Sequence, residues 1–164
     1  MEKAEKISGL IITFNEEKNI AEVLKCFDLC DEIIVVDSFS TDKTVEIAQQ
    51  NPKVKIYQNQ FEDFTKQRNF ALEKASNDWI LFLDGDERIS PELKTEILSE
   101  LQKPTKKAAY YFLRKFYFAG KPLNFSGTQT DKNCRLFRKS KCEYTSEKKV
   151  HETLIVKGEI GQLK

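Results

Sequence analysis

Apolar and polar positions along the first hundred residues repeat as short runs and helical spacings. Ile7, Leu10, Ile11 and Ile12 form a short apolar strand ending at Thr13, polar Asn15-Glu16-Glu17 follows, and Ile20, Val23, Leu24 and Phe27 recur at helical spacing. Glu32 to Asp37 (EIIVVD) is a continuous, largely β-branched run closed by a carboxylate, the pattern of a strand buried on both faces of a parallel sheet. Ser38, Ser40, Thr41 and Asp42 offer helix caps ahead of Val45, Ile47 and Ala48. Val54 to Tyr57 reads as a third strand. Asp63 to Ala75 reads as a helix with Phe64, Phe70, Ala71 and Leu72 inward, and Trp79 to Leu83 as a fourth strand running into Asp84. Ser90-Pro91-Glu92 opens the next helix with an N-cap, a proline at the first helical position and an early acid. The order βαβαβαβα, with helices of about ten residues, predicts an α/β fold with a right-handed, doubly wound, mostly parallel sheet flanked by helices.

After Pro104 the pattern changes: Ala109 to Phe118 is aromatic and β-rich, and no strongly periodic helix follows. The expectation is a single domain over residues 1–164, with an α/β half (1–103) and an added β-rich half (104–164). No repeat or Gly/Ser linker divides them, and Lys103 to Lys107 is at most a junction.

The 164 residues carry 27 basic and 26 acidic side chains, a net charge of +1. That total hides a division, because residues 1–90 hold 11 basic and 18 acidic groups whereas residues 91–164 hold 16 and 8. No apolar run approaches the about 20 residues of a membrane-spanning helix, which leaves surface association as the membrane option. No charged-then-apolar leader precedes Ile7, so the expected location is cytoplasmic, with peripheral contact at the inner face of the cell membrane as an option. Cys26, Cys30, Cys134 and Cys142 read as ordinary small apolar residues; a zinc site joining Cys26, Cys30 and His151 lacks the usual knuckle spacing.

In an open α/β sheet, ligands bind beyond the carboxyl ends of the strands. Those ends read Thr13-Phe14-Asn15-Glu16, Asp37-Ser38 and Asp84-Gly85-Asp86-Glu87. Neither Gly-x-Gly-x-x-Gly nor Gly-x-x-x-x-Gly-Lys-Ser/Thr is present, so a nucleotide would be held without the dinucleotide fingerprint or a P-loop. Asp84 and Asp86 follow a strongly apolar strand and flank a glycine, which suits a shared hard cation, Mg²⁺ or Mn²⁺, that also takes phosphate oxygens. A polar turn capping the next helix explains the same residues without a ligand.

Four stretches taken together resemble the family 2 glycosyltransferases of GT-A fold, and among them the branch of lipopolysaccharide core glucosyltransferases. They are Ile11 to Glu17, Glu32 to Asp42, Lys66-Gln67-Arg68-Asn69 with Ala71 and Ala75, and Trp79 to Glu87. Asp131 with Arg135-Leu136-Phe137, and the pair His151-Glu152, resemble that branch in particular. The resemblance implies a Rossmann-like sheet and a metal-dependent, inverting transfer of a sugar from a nucleotide-diphospho-sugar, with uridine preferred, to a hydroxyl of a glycan or glycolipid. It also implies a place in cell-surface polysaccharide or lipopolysaccharide synthesis. Thr13, Asn15, Glu16 and Arg68 would line the nucleotide site, Asp37 would accept from the base, Asp84 would approach the ribose or metal, and Asp86 would hold the metal. Asn15 and Asp42 as helix caps, and Arg68 paired with Glu62 or Glu73 on an exposed face, are the structural alternatives.

An inverting transfer needs a base to deprotonate the acceptor; Glu152 is the first candidate and Asp131 the second, with His151 as metal ligand, as orienter of Glu152, or as a histidine satisfied on its strand. The family's usual Glu-Asp pair does not occur beyond residue 90. Arg135, Arg138, Lys139, Lys141, Lys148 and Lys149 suit an anionic acceptor or an anionic membrane face, and Phe116, Tyr117, Phe118, Phe125 and Phe137 suit sugar stacking or a core. No nucleic-acid-binding pattern accompanies them. A phosphatase or phosphotransferase with an Asp-x-Asp nucleophile would carry it after the first strand, where this chain has Thr-Phe-Asn. A non-catalytic sugar-nucleotide or glycan module is the other alternative. Related enzymes continue with helices beyond the His-Glu strand, so the acceptor side is expected to be incomplete here.

Overall fold

The structure, a computed structural model, describes residues 5–104, 107–118, 121–122, 132–145 and 153–163. The first half runs β1 (Ile7–Thr13), α1 (Ile20–Leu24), β2 (Glu32–Asp37), α2 (Thr44–Ala48), β3 (Val54–Gln58), α3 (Phe64–Lys74), β4 (Trp79–Phe82) and α4 (Pro91–Leu101). The second half is β-rich: β5 (Ala109–Leu113), β6 (Tyr117–Phe118), β7 (Lys121–Pro122), β8 (Lys132–Arg138), β9 (Cys142–Thr145), β10 (Thr153–Val156) and β11 (Ile160–Leu163). Seven strands form one sheet in the order β11-β5-β8-β4-β1-β2-β3. The pairs β1–β2, β1–β4, β2–β3 and β5–β11 are parallel, while β8 lies antiparallel between β4 and β5. The expected mixed α/β class with a mostly parallel sheet is therefore the one observed.

Successive residues of a strand face opposite ways, and here both faces are covered. Ile33 and Val35 of β2 join one core with Ile20, Val23 and Phe27 from the α1 region and Ile97 of α4. Ile34 and Val36 join the other core with Ala71 and Leu72 of α3 and Tyr144 of β9. Gly9 of β1 is required where Phe27 packs down on the sheet, because a Cβ there would sit 2.5 Å from the Phe27 ring.

Two expectations need correction. The helices are not uniformly about ten residues: α3 and α4 have 11, but α1 and α2 have five each. The two short helices match short apolar stretches, Ile20–Phe27 and Val45–Ala48, and the loops leading into them are held by side-chain hydrogen bonds. Phe64 is not inward. It opens α3 at the solvent, 53% exposed, edge-on to Phe61 at 5.1 Å, and the helix instead buries Gln67 and Arg68 with Ala71 and Leu72.

At the amino end of the sheet, Glu32 is buried and joins several elements. Its carboxylate accepts from Ser8 Oγ (2.6 Å), the Ser76 amide (2.6 Å), Ser76 Oγ (3.1 Å) and Lys55 Nζ (2.7 Å). Burial would push its pKa up, but the hydrogen bonds from Lys55, Ser8 and Ser76 prevail and bring it to about 2, below its ordinary 4.5. The stability this contributes is complete above the unfolded value and is lost as pH falls from about 4.5 through about 2. Glu32→Gln should lower unfolding free energy at neutral pH by about 1–3 kcal/mol and flatten the acid dependence in that window, measured by urea denaturation. Equal stability of the two proteins across the window would remove Glu32 as an anchor.

Candidate active site

The loops after β1 and β2 are laced together at the carboxyl edge of the sheet. Asn15 adopts a left-handed φ of 53°, its amide donates to Ser40 Oγ at 2.9 Å, and its Oδ1 accepts from the Thr41 amide at 2.8 Å. The Glu16 amide donates to Thr44 Oγ1 (2.7 Å) and the Glu17 amide to Asp42 Oδ2 (3.1 Å). Asn15 thus ties two loops and does not cap α1; the N-cap position of α2 is Lys43, which makes no side-chain cap, and Asp42 just before it takes the Thr44 amide at 2.9 Å.

Asp37 ends β2 fully buried. Its carboxylate accepts from the Ser40 amide (2.9 Å), Ser40 Oγ, Thr13 Oγ1 (3.2 Å) and, at the long distance of 3.5 Å, Gln58 Nε2. A carboxylate in this position is compatible with burial because all these donors face it. Gln67, which sequence reasoning quoted only within its motif, fixes α3 to this edge: its Nε2 donates to Ser38 Oγ at 3.0 Å and its Oε1 accepts from Asn59 Nδ2 at 2.8 Å. Its sequence signal is a polar Gln-Arg pair on the inward face of a helix.

The turn after β4 brings the remaining candidates together. Glu16 lies against Gly85, where a Cβ would sit 3.3 Å from Glu16 Cδ, so the loop after β1 touches the acidic turn. Arg68 is 5% exposed; its Nη2 donates to Asp84 Oδ1 at 2.7 Å, and its guanidinium stacks over Phe82 (4.8 Å) and Tyr144 (5.6 Å). The pairing with Glu62 or Glu73 on an exposed face is thereby corrected. Arg135, expected among cations facing an acceptor, is also 5% exposed and donates inward to Asp84 Oδ2 (2.5 Å) and Glu87 Oε1 (2.7 Å). Arg138 likewise is used internally, against Glu5 and Asp78 and over the Trp79 ring. Phe137 belongs to the core, whereas Tyr117 is exposed.

Burial would raise the Asp84 pKa, but the Arg135 and Arg68 guanidiniums hold it below the usual carboxylate range. For Arg135, burial works against the charge, and Asp84 and Glu87 outweigh it, so the group titrates above its ordinary value. Burial pushes the Tyr144 phenol up to about 12. Asp86, two residues past Asp84, is exposed and engages no partner among the described residues. No three His, Cys, Asp or Glu groups converge as a closed metal centre among the described residues. Of the acids in this turn, Asp86 alone offers an open carboxylate, which is compatible with a cation such as Mg²⁺ that takes one or two carboxylates and completes its shell with other oxygens. Asp131, His151 and Glu152, together with Lys148, Lys149 and Phe125, lie outside the described residues. Cys26 and Cys30 are buried, as small apolar residues would be.

The sequence model of glycosyl transferase family 2 matches residues 8–152. The chain belongs to this family. Among its relatives, the lipopolysaccharide core biosynthesis glycosyltransferase LpsC of Rhizobium meliloti is 30% identical in an alignment of 160 positions that covers 94% of this chain and 59% of that protein. An uncharacterized glycosyltransferase of Rickettsia felis is 46% identical over 94 residues, 57% of this chain and 33% of the relative. The family 2 chain described here thus spans between one third and three fifths of these relatives. In structure, it resembles S. aureus TarS 1–349 in complex with UDP-GlcNAc, with a TM-score of 0.53, 28% identity, and 74% of this chain and 37% of that chain covered.

The two acids of the turn are expected to differ in their structural roles. Asp84→Asn leaves two buried guanidiniums short of counter-charge and should cost roughly 2–3 kcal/mol in urea denaturation, whereas Asp86→Asn should stay within about 0.5 kcal/mol. Equal losses would show that Asp84 is not an anchor.

Proposed function

We propose that the chain transfers a sugar from a nucleotide-diphospho-sugar, with uridine preferred, to a hydroxyl of a glycan or glycolipid, inverting the anomeric centre and using Mg²⁺ or Mn²⁺. The single observation that carries this reading is the convergence of Thr13 and Asp37, of Glu16 and Gly85, and of Arg68 and Asp84 along one carboxyl edge of the sheet. Membership of the family, and a relative named for lipopolysaccharide core biosynthesis, support a role in cell-surface glycan synthesis.

Residues 1–103 would bind the donor and residues 104–164 would face the acceptor. Asp37 would accept from the ring N–H of the base in place of the long Gln58 contact, while Thr13, Asn15 and Glu16 shape the nucleotide site. Asp86 would hold the divalent cation, with Glu16 beside the turn. When bound, the cation would offset charge on the departing diphosphate. Glu152, then Asp131, is the proposed base, with His151 beside it. A phosphatase mechanism is disfavoured because its nucleophile needs an open carboxylate, and both Asp84 oxygens already accept from guanidiniums.

Mass-spectrometric screening of nucleotide sugars for metal-dependent binding and hydrolysis identifies the donor, and failure of every nucleotide sugar would overturn the reading. Asp86→Ala should abolish transfer and Mn²⁺-dependent donor binding with the fold intact; unchanged turnover removes the metal role. Asp37→Ala should weaken donor binding about tenfold or more in calorimetry, as expected for a lost hydrogen bond to a buried charged group. An unaltered affinity takes Asp37 out of the site.

A further inference from the structure

The acidic turn after β4 is held from the neighbouring strand β8. Residues 84–87 close on themselves, the Asp84 amide donating to Glu87 Oε2 at 2.9 Å and the Glu87 amide to the Asp84 carbonyl at 3.0 Å. This leaves two carboxylates at the base of the turn, and one side chain spans both. Arg135 Nη2 reaches Asp84 Oδ2 at 2.5 Å and Glu87 Oε1 at 2.7 Å, and its Nε reaches the same Glu87 oxygen at 3.2 Å. Arg68 occupies the other Asp84 oxygen at 2.7 Å. The antiparallel register Leu81↔Leu136 puts Arg135 one step nearer the turn along β8, which explains how a residue 51 positions later arrives there.

The chemistry of the contact selects arginine. A planar guanidinium presents several N–H donors in a fixed fork and bridges two acids without moving, while an ammonium offers a single point of charge. Both Asp84 oxygens accept from buried guanidiniums, whereas Asp86 in the same turn is exposed, and Glu16 touches the turn at Gly85 between them. We propose that Arg135 is a positioning residue that locks the turn through Asp84 and Glu87, so that Asp86 is the carboxylate of this turn that receives the cation of the donor diphosphate. The inference deepens the donor-and-metal reading above and rests on it. It also gives the β-rich half a defined part in the donor side, since β8 supplies the lock.

The test uses Arg135→Met, Arg135→Lys, Asp84→Asn and Asp86→Asn, with two readouts: UDP binding by calorimetry with and without Mn²⁺, and amide exchange of residues 84–87 in metal-free protein. Arg135→Met should weaken Mn²⁺-dependent UDP binding about tenfold or more, as expected for a residue that orients a metal ligand, and speed exchange of Gly85 and Asp86 by a similar factor. Arg135→Lys should fall between it and the unmodified chain, and it supplies the comparison if the methionine variant does not fold. Asp86→Asn should remove the Mn²⁺ dependence while leaving exchange in the turn unchanged, and Asp84→Asn should speed exchange yet keep a Mn²⁺ dependence. Unaltered exchange in both Arg135 variants, faster exchange spread evenly over the whole chain, or loss of Mn²⁺ dependence in Asp84→Asn as complete as in Asp86→Asn would each overturn the proposal. If the unmodified chain binds no UDP with Mn²⁺, the donor reading fails and the metal clause of the proposal with it, while the exchange readout still decides whether Arg135 locks the turn.

Discussion

Two guanidiniums buried inside a sheet protein require counter-charge at hydrogen-bond distance, and the rest of this structure is arranged around meeting that requirement. Arg68 comes from α3 and Arg135 from β8, and both reach Asp84 at the end of β4, with Glu87 as the second acid. Removing a charged side chain from water costs several kcal/mol unless partners surround it, and here the two buried cations meet Asp84 and Glu87, the latter also approached by Arg114 at 3.7 Å. Phe82 and Tyr144 cover the Arg68 plane, adding cation–π attraction and excluding solvent. The cluster can form only if α3, β4, β8 and β9 are all in place, so it joins the helix-rich and β-rich halves in one polar contact within an apolar setting.

The same logic of satisfied polar groups governs the edge next to it. The loops after β1 and β2 contain little apolar surface, and their order comes from side chains bonding to backbone: Asn15 to Thr41, Ser40 to Asn15, Thr44 to Glu16 and Asp42 to Glu17. Such lacing fixes loops without a core, which accounts for two helices of five residues where longer ones were expected. Glu32 does comparable work at the opposite end, accepting from Ser8, Ser76 and Lys55.

The strands, their alternation with helices in the first half and the acidic turn were legible because each depends on local pattern. EIIVVD and WILFLDGD announce buried strands closed by acids, and Ser90-Pro91 announces a helix start, since period, β-branching and capping act within a few residues. Phe64 misled because a residue in the first turn of a helix faces whatever the preceding loop leaves open, and that loop turns it toward Phe61 and solvent.

Sequence by itself therefore determined the alternation of strand and helix, the class of the sheet and the acids at its carboxyl edge, and four motifs in order pointed to the family. Tertiary structure decided which cations those acids meet. Arg135 was read as part of a basic surface because its neighbours Arg138, Lys139 and Lys141 are basic, but a charge run says nothing about which member turns inward. That is set by the antiparallel placement of β8 between β4 and β5. Pairing across 51 residues leaves no periodic trace along the chain, and only the register of neighbouring strands places the two charges together.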